Sequence, residues 1–174
     1  DKSRIYLTTF YNAEISVSKR LAELSNVNFK VNEKNFENDI KKVQTEESIN
    51  LAPKQIIAVK EALKNGAIVI TGGPGTGKTT IIKCIIKLFE KEGLKVALSA
   101  PTGRAAKRME EATGYEAKTI HRLLEIGYGS EEEMIFQRNM DFHLDFDVVI
   151  IDEMSMVDIL LMNHFLKAVS TGTR

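Results

Sequence analysis

The chain has 174 residues, 43% hydrophobic and 28% charged, a balance that fits a soluble globular protein and excludes a disordered one. Lysine plus arginine (24) equals aspartate plus glutamate (24), so the net charge is zero and any basic surface has to be local. The single cysteine, Cys84, excludes an internal disulfide or thiolate cluster and fits a reducing cytoplasm, and no apolar run approaches a membrane span.

The sequence shows no signal peptide and opens at Asp1 rather than Met, which suggests a piece of a longer protein. Phe10, Ala13, Val17, Leu21 and Leu24 fall on one helical face that Ser25-Asn26 would end. Phe36, Ile40 and Val43 mark a second amphipathic helix, and Asn-rich stretches at 26–38 and 45–50 read as connections. This part carries no chemical motif, so residues 1–47 are expected to form a helical N-terminal segment ahead of a second unit at 48–174. A third helix starts at Pro53, a favoured first-turn position, and stops at Asn65-Gly66. By spacing alone Gln55 reads as a solvated helix residue, with a ligand role as the alternative.

Ala67-Ile68-Val69-Ile70 is too short for a helix and rich in β-branched residues, as a buried strand should be. It leads into Gly72-Gly73-Pro74-Gly75-Thr76-Gly77-Lys78-Thr79, a complete match to the phosphate-binding loop pattern. Ile81, Ile82, Ile85, Ile86 and Phe89 then recur at helical spacing up to Gly93, a C-cap candidate. Strand, glycine loop and helix together are the context such a loop needs. Glycines let the backbone approach phosphate oxygens, and the helix N-terminus adds donors and partial positive charge. Residues Gly73, Pro74, Gly75, Thr76, Gly77, Lys78, Thr79 and Thr80 are therefore the nucleotide-binding candidates. Lys78 would reach the β- and γ-phosphates of ATP, and Thr79 would hold Mg2+. Cys84, on the same helix, reads as a small core residue.

Leu94 to Ala100 reads as a second strand broken by Pro101. Thr102 can cap a helix holding Ala105, Ala106 and Met109, which Thr113-Gly114 ends, and Thr119 can cap a short one with Ile120, Leu123 and Leu124. Residues 127–146 read as irregular and charged, with a minor strand at Met134-Ile135-Phe136. Val148-Val149-Ile150-Ile151 is a third apolar run ending in Asp152-Glu153, followed by a last helix marked by Ile159, Leu160, Met162, Phe165, Leu166 and Val169. Strands alternating with helices argue for an α/β fold with a parallel sheet of the P-loop NTPase kind.

Two adjacent acids at the carboxyl end of an apolar strand stand where open α/β sheets bind ligands. Asp152 would act on Mg2+ through its water shell, and Glu153 would orient or deprotonate the attacking water. Thr102-Gly103-Arg104 and Thr119-Ile120-His121-Arg122 both open helices with hydroxyls and arginines, which suits phosphodiester contacts. Residues 102–122 hold five Lys or Arg against three Glu, a net of +2, so charge by itself reads as a solvated helix face.

As a set, GGPGTGKTT, APTGRAAKRMEEATG, AKTIHRLLEI and DVVIIDEMSMVD resemble the RecD/TraA-like branch of superfamily-one DNA helicases over about residues 48–169. RIYLTTFYNAE more loosely resembles the segment that precedes the motor in the RecD-like group. The resemblance implies a RecA-like motor that uses ATP and Mg2+ to move 5′ to 3′ along single-stranded DNA, in DNA repair and recombination. It implies that Gln55 reads adenine, that Lys78 and Glu153 are catalytic, and that Thr79 and Asp152 hold the metal. It also implies that Pro101, Thr102, Gly103 and Arg104, then Thr119, His121 and Arg122, track the DNA backbone.

The family continues past the point where this sequence stops, with a γ-phosphate-sensing strand and a second motor domain that supplies an arginine finger. That strand normally lies between the phosphate-loop strand and the Asp-Glu strand, so the sheet is expected to have a gap at its centre. An arginine finger is worth roughly 10³ to 10⁵ in rate, so the chain alone is expected to hydrolyse ATP very poorly. Subunits of a nuclease complex are possible partners of the family. The alternatives are a P-loop ATPase acting on RNA or protein assemblies, and a nucleotide-gated, non-catalytic subunit.

Overall fold

A computed structural model describes residues 5–128 and 134–174. Residues 129–133, part of the charged stretch read as irregular, and Arg4, within the RIYLTTFYNAE stretch, lie outside the described residues.

The elements follow in the order α1 (Thr8–Ser25), α2 (Glu33–Glu46), α3 (Pro53–Lys64), α4 (Lys78–Lys91), β1 (Val96–Ala100), α5 (Gly103–Thr113) and β2 (Ala117–Thr119). Then come α6 (Ile120–Leu123), β3 (Ile126–Tyr128), β4 (Met134–Phe136), β5 (Val148–Ile151), a 3₁₀ turn at Met154–Met156 and α7 (Ile159–Ala168). β1 lies at the centre of a parallel sheet ordered β2-β1-β5, and β3 and β4 form a separate antiparallel hairpin. The short strand β2, absent from the expectation, pairs Ala117–Thr119 with Leu98–Ala100.

Alternation along the strands sends side chains to two covered faces. Leu98 packs with Ile86 of α4 and Met109 of α5, joined by Val96 and Ile150. Ala97 faces the other way, into a core with Val17 and Leu24 of α1, Ile120 and Leu123 of α6, and Phe165 and Leu166 of α7. A third cluster joins Phe36, Ile40 and Val43 of α2 and Val59 and Leu63 of α3 to Cys84 and Phe89 of α4 and Val148 of β5. The helices of the N-terminal segment thus pack against the sheet's own layers. Arg20 of α1 adds a bond from Nη2 to the Val169 carbonyl at 2.6 Å.

Cys84 is fully buried, as its core reading requires, and burial with Glu47 nearby pushes its thiol up to about 11. Phe89 is 1% exposed, and cutting it to alanine would cost about 3–5 kcal/mol. Gly93 ends α4 with φ 76°; its N–H bonds to the Glu90 carbonyl at 2.9 Å, and the Leu94 N–H bonds to the Phe89 carbonyl at 3.0 Å.

One expected strand is not in a ladder. Residues 67–70 run up to the loop in no strand of the described sheets, and Val69 is 90% exposed. Ala67 still packs against the buried cluster that Val149 and Ile151 also border, and Ile70 packs against the cluster that holds Val148. A strand needs a neighbour for its backbone groups. Among the described residues only Arg174 bonds along the free edge of β5: Arg174 N–H donates to Asp147 O at 2.9 Å and Val149 N–H to Arg174 O at 2.7 Å. No described strand pairs with that edge, and residues 67–70 form no ladder with it.

Candidate functional site

Three parallel strands end on one edge. Ala100 pairs with Thr119 and Ser99 with Ile151, so Pro101–Arg104, Thr119–Arg122 and Asp152–Glu153 all leave the sheet at its carboxyl end, one strand spacing apart. The helices that follow these strands start with side-chain caps. Thr102 Oγ1 accepts from Ala105 N–H, Thr119 Oγ1 from Arg122 N–H, and Asp158 Oδ1 from Leu160 and Leu161 N–H.

The helix after the glycine loop is different. Gly77 precedes α4 at φ 80° and ψ 28°, and no side chain caps it. The first amides of a helix have no partner within it, so Lys78, Thr79 and Thr80 present donors and partial positive charge outward. In the loop, a side chain at Gly77 would overlap Gln55 Nε2, and one at Gly72 would come 2.6 Å from Thr76 Oγ1. Gly73 and Gly75 instead border open space, with nothing within 4 Å of where a Cβ would sit. An anion can therefore approach the backbone there. Lys78 Nζ donates to Gly72 O at 2.7 Å and Gly73 O at 3.0 Å, and Thr76 Oγ1 donates to Gly73 O at 2.8 Å. These acceptors are neutral, whereas phosphate oxygens carry charge that attracts the ammonium further, so the lysine can exchange partners.

Gln55 sits at the third position of α3, half-buried. Its Oε1 accepts from Ala52 N–H at 2.7 Å, and its Nε2 donates to Thr76 O at 2.9 Å. The structure thus brings Gln55 against the phosphate loop, 21 residues away in sequence.

Asp152 extends the β5 ladder by one bond, from its N–H to Ser99 O at 3.0 Å, and its Oδ1 accepts from Glu153 N–H at 2.9 Å. Glu153 is exposed at φ 56°, a left-handed conformation that costs a non-glycine residue about 1–2 kcal/mol. Among the described residues no group of three His, Cys, Asp or Glu could hold a metal by itself. The Thr79 hydroxyl and the Asp152 carboxylate still suit Mg2+, which keeps most of its ligands as water and phosphate oxygens.

At the starts of α5 and α6, Thr102 and Thr119 accept as caps but keep their O–H donors. Gly103 faces open space, Arg104 and Arg122 are exposed, and Pro101 is half-buried. The His121 ring is half-buried, its centroid 6.0 Å from that of Phe136, which lies 4.7 Å from that of His164. Burial, then the Lys167 charge, lowers the His164 pKa from its ordinary value. Sequence reading found β4 but had no signal that Phe136 would meet His121. It also missed the Asp158 cap, although an aspartate just ahead of an apolar helix is such a signal. A cavity of about 300 Å³ beside Leu94–Leu98, Tyr115 and Lys118 touches none of the nucleotide or metal candidates.

The AAA domain model matches residues 55–174, more than half of the chain. The chain is 43% identical over 124 residues to the ATP-dependent RecD2 DNA helicase of Deinococcus radiodurans, covering 71% of this chain and 17% of that protein. It is 37% identical over 203 residues to the RecBCD enzyme subunit RecD of Buchnera aphidicola, covering 99% of this chain and 31% of that one. The RecD subunit of Mycolicibacterium smegmatis is 37% identical over 144 residues, 70% of this chain and 26% of its own length. The chain thus spans between 17% and 31% of the length of these relatives. With an AAA domain over most of its length, and with RecD-type relatives that extend over its N-terminal helices as well, the chain belongs to the RecD-like helicase family.

Proposed function

We propose that residues 48–174 form the nucleotide-binding first motor domain of an ATP-dependent DNA helicase, with residues 1–47 as its helical N-terminal segment. The observation that carries this reading is the uncapped α4 N-terminus, which leaves all its first-turn donors to an outside anion, while α5 and α6 each give one of theirs to a side-chain cap.

In this reading the first-turn amides and Lys78 bind the β- and γ-phosphates of ATP, Lys78 leaving the Gly72 and Gly73 carbonyls to do so. Gln55 contacts the adenine. Thr79 and Asp152 hold Mg2+, which supplies charge neutralisation on the phosphates when bound. Glu153 orients the attacking water and takes its proton. Pro101, Thr102, Gly103, Arg104, Thr119, His121 and Arg122 line the path of a single DNA strand and contact its backbone, so binding tolerates sequence and weakens with salt. A second motor domain closes over the nucleotide, movement follows the family's polarity, and the setting is cytoplasmic repair or recombination, alone or with nuclease-complex subunits. The chain by itself hydrolyses ATP poorly.

Lys78→Ala in the full-length protein tests this. The expected outcome is loss of ATP hydrolysis and DNA unwinding by about 10² or more, as when one preorganised donor is removed from a reacting centre. Undiminished unwinding would sink the mechanism.

A further inference from the structure

Gln55 does more than its expected role requires. Both ends of this amide are engaged within the chain, and each keeps one further site, an Nε2 N–H and an Oε1 lone pair, for a base. Ala52 N–H can only donate and Thr76 O can only accept, so the two bonds fix which end of the amide is oxygen and which is nitrogen. The bond to Thr76 O has a consequence across the next peptide. A trans peptide is planar with its C=O and N–H pointing opposite ways, so a Thr76 carbonyl held toward Gln55 turns the Gly77 N–H away from α3. Gly77 is the residue whose amide stands directly ahead of the uncapped first turn of α4. Its left-handed φ of 80° leaves that peptide free of side-chain restraint, so its orientation has to come from elsewhere. The closeness of Gln55 Nε2, which a side chain at Gly77 would overlap, shows how tightly the two are matched.

We propose that Gln55 is a positioning residue of the phosphate loop: through the Thr76 carbonyl it aims the Gly77 amide at the phosphates, independently of any contact with a base. The inference rests on the nucleotide-binding reading above. It also supplies a route by which a base engaging Gln55 would be felt at the phosphates, since base and Thr76 carbonyl would bond to the same amide group.

The test separates phosphate from base. Inorganic tripolyphosphate with Mg2+ and ATP with Mg2+ are titrated into the full-length protein by calorimetry, for wild type, Gln55→Ala and Ala52→Pro. Ala52 has φ −68° and ψ 156°, which proline accepts, so Ala52→Pro removes the N–H to Gln55 Oε1 but leaves the Thr76 bond intact. The expected result is that Gln55→Ala weakens tripolyphosphate about fivefold, the scale of one hydrogen bond, and ATP by more, while Ala52→Pro keeps tripolyphosphate affinity. Tripolyphosphate affinity unchanged in Gln55→Ala, with ATP weakened, would overturn the positioning role and leave the nucleotide reading standing. Equal weakening by Ala52→Pro would overturn it too, by tracing the effect to the start of α3. Wild type binding neither compound would overturn both readings.

Discussion

Two kinds of helix start share the carboxyl edge of this sheet. α5 and α6 begin behind threonines whose hydroxyls close the first turn at 3.2 Å, whereas α4 begins behind a glycine that closes nothing. A capped helix start has given one of its first-turn donors to its own chain and meets a ligand with what remains: the other early amides, a hydroxyl proton, an arginine, a backbone that allows approach. An uncapped one keeps its full set of donors, at some cost to the helix, and that cost is recovered only when an anion arrives. In the function proposed above, this contrast would let one edge serve two phosphate chemistries, one demanding a tight grip on a polyphosphate and one needing loose, repeated contact with a strand that slides.

The largest effect expected from breaking this contrast is on chemistry. Glu153→Gln keeps the α4 N-terminus and the Asp152 carboxylate but removes the carboxylate proposed to take the attacking water's proton. Single-turnover ATP hydrolysis by the full-length protein should fall by about 10² to 10⁴, with equilibrium ATP binding retained. Binding lost in parallel with hydrolysis would place Glu153 in the cradle instead.

A second change tries to make α4 resemble its neighbours. Gly77→Ser supplies a cap side chain, but an N-cap requires extended backbone, and Gly77 sits at φ 80°. The serine would meet Gln55 Nε2 and carry left-handed strain of about 1–2 kcal/mol. Thermal unfolding should therefore shift down, and ATP affinity should fall together with it. A variant that became more stable while losing ATP would show that the loop can rearrange into an ordinary cap.

How much of this was legible depended on how local each feature is. The phosphate loop, the Thr102 and Thr119 caps and the Gly93 and Gly114 helix ends are set by residues within a few positions of one another, and each stands where its pattern put it. Asp152 and Glu153 were legible because a run of four apolar residues needs to be buried and has to end somewhere. Strand pairing is not local. Residues 67–70 have the composition of a strand but no described neighbour on which to form a ladder, and β2 is three residues long with no apolar run to announce it. The bond between Gln55 and Thr76 and the ring contacts of Phe136 link residues 15 to 28 positions apart, where spacing carries no information.

The smallest expected effects lie on the capped side, and they sharpen the contrast by their size. Arg104 and Arg122 are exposed, at the starts of α5 and α6, and neither hydroxyl cap depends on them. Replacing either by alanine should leave ATP binding and the unfolding temperature unchanged. What should change is the salt dependence of single-stranded DNA binding by the full-length protein. If each arginine neutralises one phosphate, the slope of log affinity against log salt becomes shallower by about 0.7 for each replacement, and by about twice that for both. The loss should be the same for any base sequence, because phosphate contacts position a strand without reading it. An unchanged slope in the double variant would move the DNA path off this edge and leave α4 as the only phosphate-binding start on the sheet.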